Sequence, residues 1–189
     1  DLTIGGNLVI AEAAAPTLST GAGTAGNILV TGTTNGTAGG VAESLTVQAG
    51  TGTATFTGNV GNNTNATELE ALTITNAAAT TFSGTLDLAG ALTQTNAATG
   101  TTTFSGAVSV GSAALKGTDY ALDNSFASGG TTAFINSGTV TKNAGTNITS
   151  TGAFSTTGDV NLAANITTTD TDLTIGGNLV IAEAAAPTL

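Results

Sequence analysis

Residues 101–108 read TTTFSGAV, and the same template returns in residues 53–60 (TATFTGNV) and 79–86 (ATTFSGTL). Each copy sets a small residue or Thr before Thr and Phe, then Ser or Thr, a Gly, one free position and an aliphatic side chain. The phenylalanines stand at positions 56, 82 and 104, so the recurrence steps by 26 and then by 22. Looser versions follow at Phe134 with Val140 and in residues 153–160 (AFSTTGDV), where the step from Phe134 to Phe154 is 20. A recurrence of this size is the length of one coil of a β-helix, in which each coil supplies two or three short strands. Between the copies, Leu72 and Ile74, Leu86 and Leu88, Val108 and Val110, and Val160 and Leu162 alternate with polar residues, as half-buried strands do.

A second, longer period encloses the first. Residues 1–18, DLTIGGNLVIAEAAAPTL, return unchanged as residues 172–189, an offset of 171. We read residues 1–171 as one complete β-helix unit and residues 172–189 as the start of the next, identical unit. The expectation is a stretch of a longer repetitive protein in which STGAGTAGNILV follows again after Leu189. Units that join without a linker bury their open ends by stacking on one another. Alternatively, the eighteen residues are a strand that one subunit lends to the next. Either route produces a filament.

Composition suits a narrow core. Only 4% of the residues are aromatic, Tyr120 is the one tyrosine, and there is no Trp or Met, whereas a sandwich core wants larger side chains. Mean hydropathy is +0.28 and β-branched residues abound, which argues against disorder. The expected fold is therefore all-β: a parallel β-helix (β-solenoid) of stacked coils of about 20–26 residues, tandemly repeated. With about 22 residues per coil, a unit holds roughly eight coils and rises about 40 Å. The Phe, Leu, Ile and Val side chains would form interior ladders, with Gly and Asn at the corners and Thr outward, bonded to the Thr above. Glu12 to Ala15 favours helix, but Pro16 confines it to a loop or a single turn. A string of immunoglobulin-like sandwiches fits less well, because such modules repeat about every 100 residues.

Residues 101–108, and residues 158–165 (GDVNLAAN) followed by residues 172–178 (DLTIGGN), resemble the coils of filamentous-haemagglutinin-like and autotransporter-like bacterial surface proteins. That resemblance implies a right-handed parallel β-helix, export to the cell surface, and a role in adhesion, sheath or matrix formation. The long identical repeat departs from the pattern and suits a fibre better than a receptor-specific adhesin.

The residue inventory leaves little for catalysis. Without His or Cys the usual bases, thiol nucleophiles and most transition-metal ligands are missing, and we expect no enzyme. Glu68 with Glu70, and Asp170 with Asp172, would share a strand face, and solvated strand edges account for them more simply than an acid/base pair does. Calcium is the ion that the oxygen ligands would suit. Its candidates are Asp119, Asp123 and Asn124, in residues 117–130, read as a loop excursion tipped by Tyr120, and Asp170 with Asp172 at the junction of units. That excursion, with Lys116 and Lys142 near its ends, is the expected place for side-by-side contacts. Thr triplets at 53–55, 73–75 and 93–95 resemble ice-binding surfaces, but their uneven spacing counts against a continuous ladder. Sequons at Asn35, Asn62, Asn65, Asn147 and Asn165 are what this composition produces by itself.

The net charge of −10, from twelve acidic residues against two lysines, leaves no basic patch for nucleic acid and would keep fibres from clumping. No apolar run reaches the roughly 20 residues of a membrane helix, so no membrane insertion is expected in this segment. The expected function is a structural repeat of an extracellular or cell-surface bacterial fibre. Its partners would be copies of itself, end to end and laterally, with cell-surface or glycan contacts in second place. The alternative is the stalk of a large secreted adhesin.

Overall fold

The computed structural model describes residues 1–37, 43–62, 69–95, 98–169, 171–182 and 186–189. All regular structure among them is β: 24 strands of two to six residues. The strands build three parallel faces, and the chain visits faces A, B and C in strict rotation. Face A stacks nine strands, from Leu2–Ile4 to Leu179–Ile181, and face C stacks eight, from Thr17–Ser19 to Leu173–Ile175. Face B runs from Leu8–Val9 and Thr34–Asn35 through a single bridging residue, Val60, to a five-stranded sheet that starts at Leu86–Asp87. The fold is a parallel β-solenoid.

The short strands follow from the sequence. Two or three alternating apolar residues are followed by Gly, Asn or Ser, which turn the chain to the next face. The alternation sends every second side chain inward, so on face A the buried pairs stack as Ile28/Val30, Ala54/Phe56, Thr80/Phe82, Thr102/Phe104 and Tyr120/Leu122. Successive partners on this column are Ile4, Val30, Phe56, Phe82, Phe104, Leu122, Lys142, Leu162 and Ile181. Neighbours in the column are 26 positions apart at the start, as Ile4 and Val30 are, but only 18 apart at Phe104 and Leu122. That shortest coil falls below the expected minimum of 20, because the corners shorten while the strands keep their register.

The aromatic ladder differs from the expected single column. Phe56, Phe82 and Phe104 stack on face A with centroids 5.3 Å apart and rings within 9° of parallel. The series then crosses the core, edge-on, to Phe126 on face B at 5.8 Å and continues through Phe134 to Phe154 on face C. The two looser copies of the template thus belong to another face. A core only a few side chains wide accepts a ring from any of its three walls.

Two local expectations are corrected. Residues 117–130 are no excursion: they contain the strands Asp119–Leu122 and Phe126–Ser128 of an ordinary coil, and Tyr120 is buried, packed against Phe134 at 5.0 Å. Lys142 is likewise no surface anchor, since its side chain points inward between Leu122 and Leu162 and is 1% exposed. Residues 12–15 make a turn, with Ala13 at φ 60° and the Ala14 N–H donating to the Ala11 carbonyl at 2.9 Å.

Candidate functional site

At the start of several strands an Asn or Asp side chain reaches from one coil to the next. At the entry to face A, Asp1 Oδ1 accepts a hydrogen bond from the Asn27 N–H of the next coil at 2.7 Å, and Asn27 Oδ1 accepts one from the Thr53 N–H at 2.9 Å. Asp119 to Thr139 and Asp159 to Asn178 repeat the contact at 2.7 Å. Entry to face B uses Asn7 to Thr33 and Asn59 to Thr85, both at 3.0 Å, and later Asn147 to Asn165 and Asn165 to Thr188. Each bond satisfies a main-chain donor at a corner, where the strand ladder has not yet begun. Asn and Asp therefore tie coil to coil, a role that composition alone did not separate from loop chemistry or from sequons.

This geometry bears on the calcium candidates. Asp119 opens its strand and is held by Thr139, whereas Asp123 and Asn124 lie at the corner beyond the strand's far end, about 13 Å along the chain. Asp123 Oδ1 accepts from Asn143 Nδ2 at 2.7 Å, and Asn124 Oδ1 accepts from the Ser125 N–H at 2.8 Å. Asp172 is exposed at the entry to face C, where its main-chain carbonyl accepts from the Phe154 N–H. Asp170, Glu68 and the sequon at Asn65 lie outside the described residues. Among the described residues no three Asp or Glu side chains converge.

The one inward cation is Lys142, whose Nζ donates to the main-chain carbonyl of Asn143 at 2.8 Å and of Leu122 at 3.3 Å. Burial draws its pKa below the ordinary 10.5, and the Asp123 charge partly opposes that shift. Tyr120 behaves in the opposite sense: burial pushes its phenol above the ordinary 10.0, and its hydroxyl has no hydrogen-bond partner. A polar hollow of 160 Å³ opens on face B, where Gly61 leaves a gap between Asn35 and Asp87 in the outward column, with Asn59, Thr33 and Thr85 beside it.

The outward surface is ordered by register. On face C, Thr17, Thr46, Thr73 and Thr93 stand one above another, and on face A, Thr55, Thr81 and Thr103 do the same. Uneven spacing in sequence thus does not break the columns, because the variation in coil length is taken up at the corners. Some Thr hydroxyls also tie coil to coil through the main chain, as Thr75 does by donating to the Val47 carbonyl at 3.1 Å.

The two ends carry the same unfinished residues. Leu2, Ile4 and Leu8 at one end, and their duplicates Leu173, Ile175 and Leu179 at the other, are only partly covered, while equivalent positions inside the stack are fully buried. Comparison with protein-family models, with curated proteins and with solved structures finds no match to this chain.

Proposed function

We propose that the chain is a structural repeat of an extracellular or cell-surface bacterial fibre, non-enzymatic, whose main partner is its own next copy. The observation that carries this reading is the pair of half-covered ends. The first copy of the eighteen residues has a coil above it and none below, and the second has a coil below it and none above. Each copy therefore displays the neighbour that the other lacks. Covering an open end removes apolar side chains from water and pairs a row of free strand N–H and C=O groups, both favourable. Bacterial surface export rests on the resemblance to filamentous-haemagglutinin-like coils, and so do the sheath, matrix or adhesive roles.

The test is fibre diffraction and electron microscopy on the native assembly. A continuous rod with a layer spacing of about 4.8 Å along its axis is the expected result. Beads separated by flexible gaps would overturn it in favour of separate modules on an adhesin stalk.

A further inference from the structure

The duplicated eighteen residues do not occupy the same faces in their two copies. In the first copy Leu2–Ile4 lies on face A, Leu8–Val9 on face B and Thr17–Ser19 on face C. In the second, Leu173–Ile175 lies on face C over Phe154–Thr156, and Leu179–Ile181 lies on face A over residues 160–162. Thr188 then reaches face B, where its carbonyl accepts from the Ile166 N–H at 3.1 Å. Identical sequence has moved by one face. Seven steps along face A bring the chain from Leu2–Ile4 to Asp159–Leu162, and two further faces bring it to Leu173–Ile175. One 171-residue unit thus contains seven and two-thirds coils, not eight, and rises about 37 Å.

From this we infer that each copy of the unit docks on the copy before it turned by a third of a turn about the fibre axis. The inference rests on the end-to-end stacking proposed above and adds its geometry. Both halves of the joint are already visible. The lower half is Leu173–Ile175 seated on Phe154–Thr156 in register, Leu173 over Phe154 and Ile175 over Thr156. The upper half is the coil that follows the same residues in the first copy, Ile28 over Leu2 and Val30 over Ile4. Nothing in the segment binds it to one face, because the inward Leu and Ile contribute only apolar volume. The following Gly-Gly-Asn turns the chain from A to B in residues 5–7 and from C to A in residues 176–178. The Asn of that turn lies at a bonded corner in both places, through different atoms: Asn7 Oδ1 accepts from the Thr33 N–H of the next coil on entry to face B, and the Asn178 N–H donates to Asp159 Oδ1 of the preceding coil on entry to face A.

The consequence is a three-way display. The outward column of Thr17, Thr46, Thr73 and Thr93 lies on face C in one copy, on face B in the next and on face A in the third. The outward Val9, 61% exposed on face B, and its duplicate Val180, 52% exposed on face A, already show the first such step. No side of the fibre carries an unbroken threonine column. Each side meets the same feature once in three units, about every 110 Å.

Two measurements test the inference. In the chain itself, the outward pairs Ser155→Cys with Thr174→Cys and Asn161→Cys with Val180→Cys are neighbours and should form disulfides under mild oxidation. Asn161→Cys with Thr174→Cys should form none, and a disulfide in that pair, with the other two unlinked, would overturn the one-face shift. In an array of three units, Ser109→Cys in every copy, labelled with gold, should place the marks at three azimuths, returning to one side about every 110 Å. Marks along a single line about every 37 Å on a continuous rod would overturn the rotation while leaving end-to-end stacking intact. Separated beads would instead remove the stacking on which the inference depends.

Discussion

Lys142 is the residue whose sequence context and position disagree most. Its place in the column between Leu122 and Leu162 is one that an aliphatic side chain fills in the coils on either side, and a buried ammonium group loses hydration that two carbonyls and the Thr146 hydroxyl only partly replace. Lys142→Met should therefore raise stability by about 1 kcal/mol, read as an increase in denaturant midpoint at unchanged slope. The same residue gives a pH dependence. Its folded pKa lies below the 10.5 of the unfolded chain, so the burial penalty is full at low pH and is relieved as pH rises from the folded value towards 10.5. Tyr120 acts in the reverse sense, since the unfolded phenol ionises from about pH 10 while the buried one resists, and its contribution falls above that pH. Titrating the denaturant midpoint should show Lys142→Met losing the alkaline rise below pH 10.5 and Tyr120→Phe losing the fall above pH 10. Tyr120→Phe should also gain about 1 kcal/mol at neutral pH, because it removes a buried hydroxyl with no partner. Gly61 is the opposite case: its φ is 73° and a Cβ would collide with the Asp87 carbonyl oxygen, so Gly61→Ala should cost about 2–4 kcal/mol in the same assay.

The coil is the element, and its stability depends on neighbours above and below. Phe82 lies between Phe56 and Phe104 with nearly parallel rings at 5.3 Å on both sides, so removing it opens a gap in the middle of a stack. Phe82→Ala should cost about 3–5 kcal/mol, and Phe82→Leu clearly less, as measured by chemical denaturation. A corner bond is worth far less because it is exposed: Asn59→Ala frees the Thr85 N–H to bond water and should cost about 0.5–1 kcal/mol. The Phe template was enough to reveal that coils exist and to place Phe56, Phe82 and Phe104 in one column. It could not place Phe134 and Phe154, since the template records distance along the chain, and coils of unequal length let equal distances end on different faces. Asp119, Asp123 and Asn124 were misjudged as one loop for a related reason. Nearness in sequence says nothing about the four-residue strand that separates Asp119 from the other two.

At the scale of the whole molecule, each coil touches only the coils beside it, so stability is a sum of coil and interface terms and the ends are the weakest places. Amide hydrogen exchange should accordingly be fastest in the first and last coils and slowest around Phe82 and Phe104, and joining a second unit should protect the former end coil. The net charge of −10, with Lys116 the exposed lysine, sets like charges against one another when two copies approach, so self-association of the chain should increase as salt is raised, as read by light scattering. By itself, the sequence determined that the chain is a stack of short strands, because the period-two alternation, the Gly and Asn corners and the recurring Phe template are each local properties of consecutive residues. It also determined that the opening eighteen residues return unchanged after 171 positions. Only the tertiary structure decided which face each strand joins and that the duplicate comes back one face out of phase. The physical reason is that the three walls of a narrow apolar core are equivalent to an alternating strand. The face is therefore set by the accumulated length of all preceding corners, a sum over the whole unit that no single segment records.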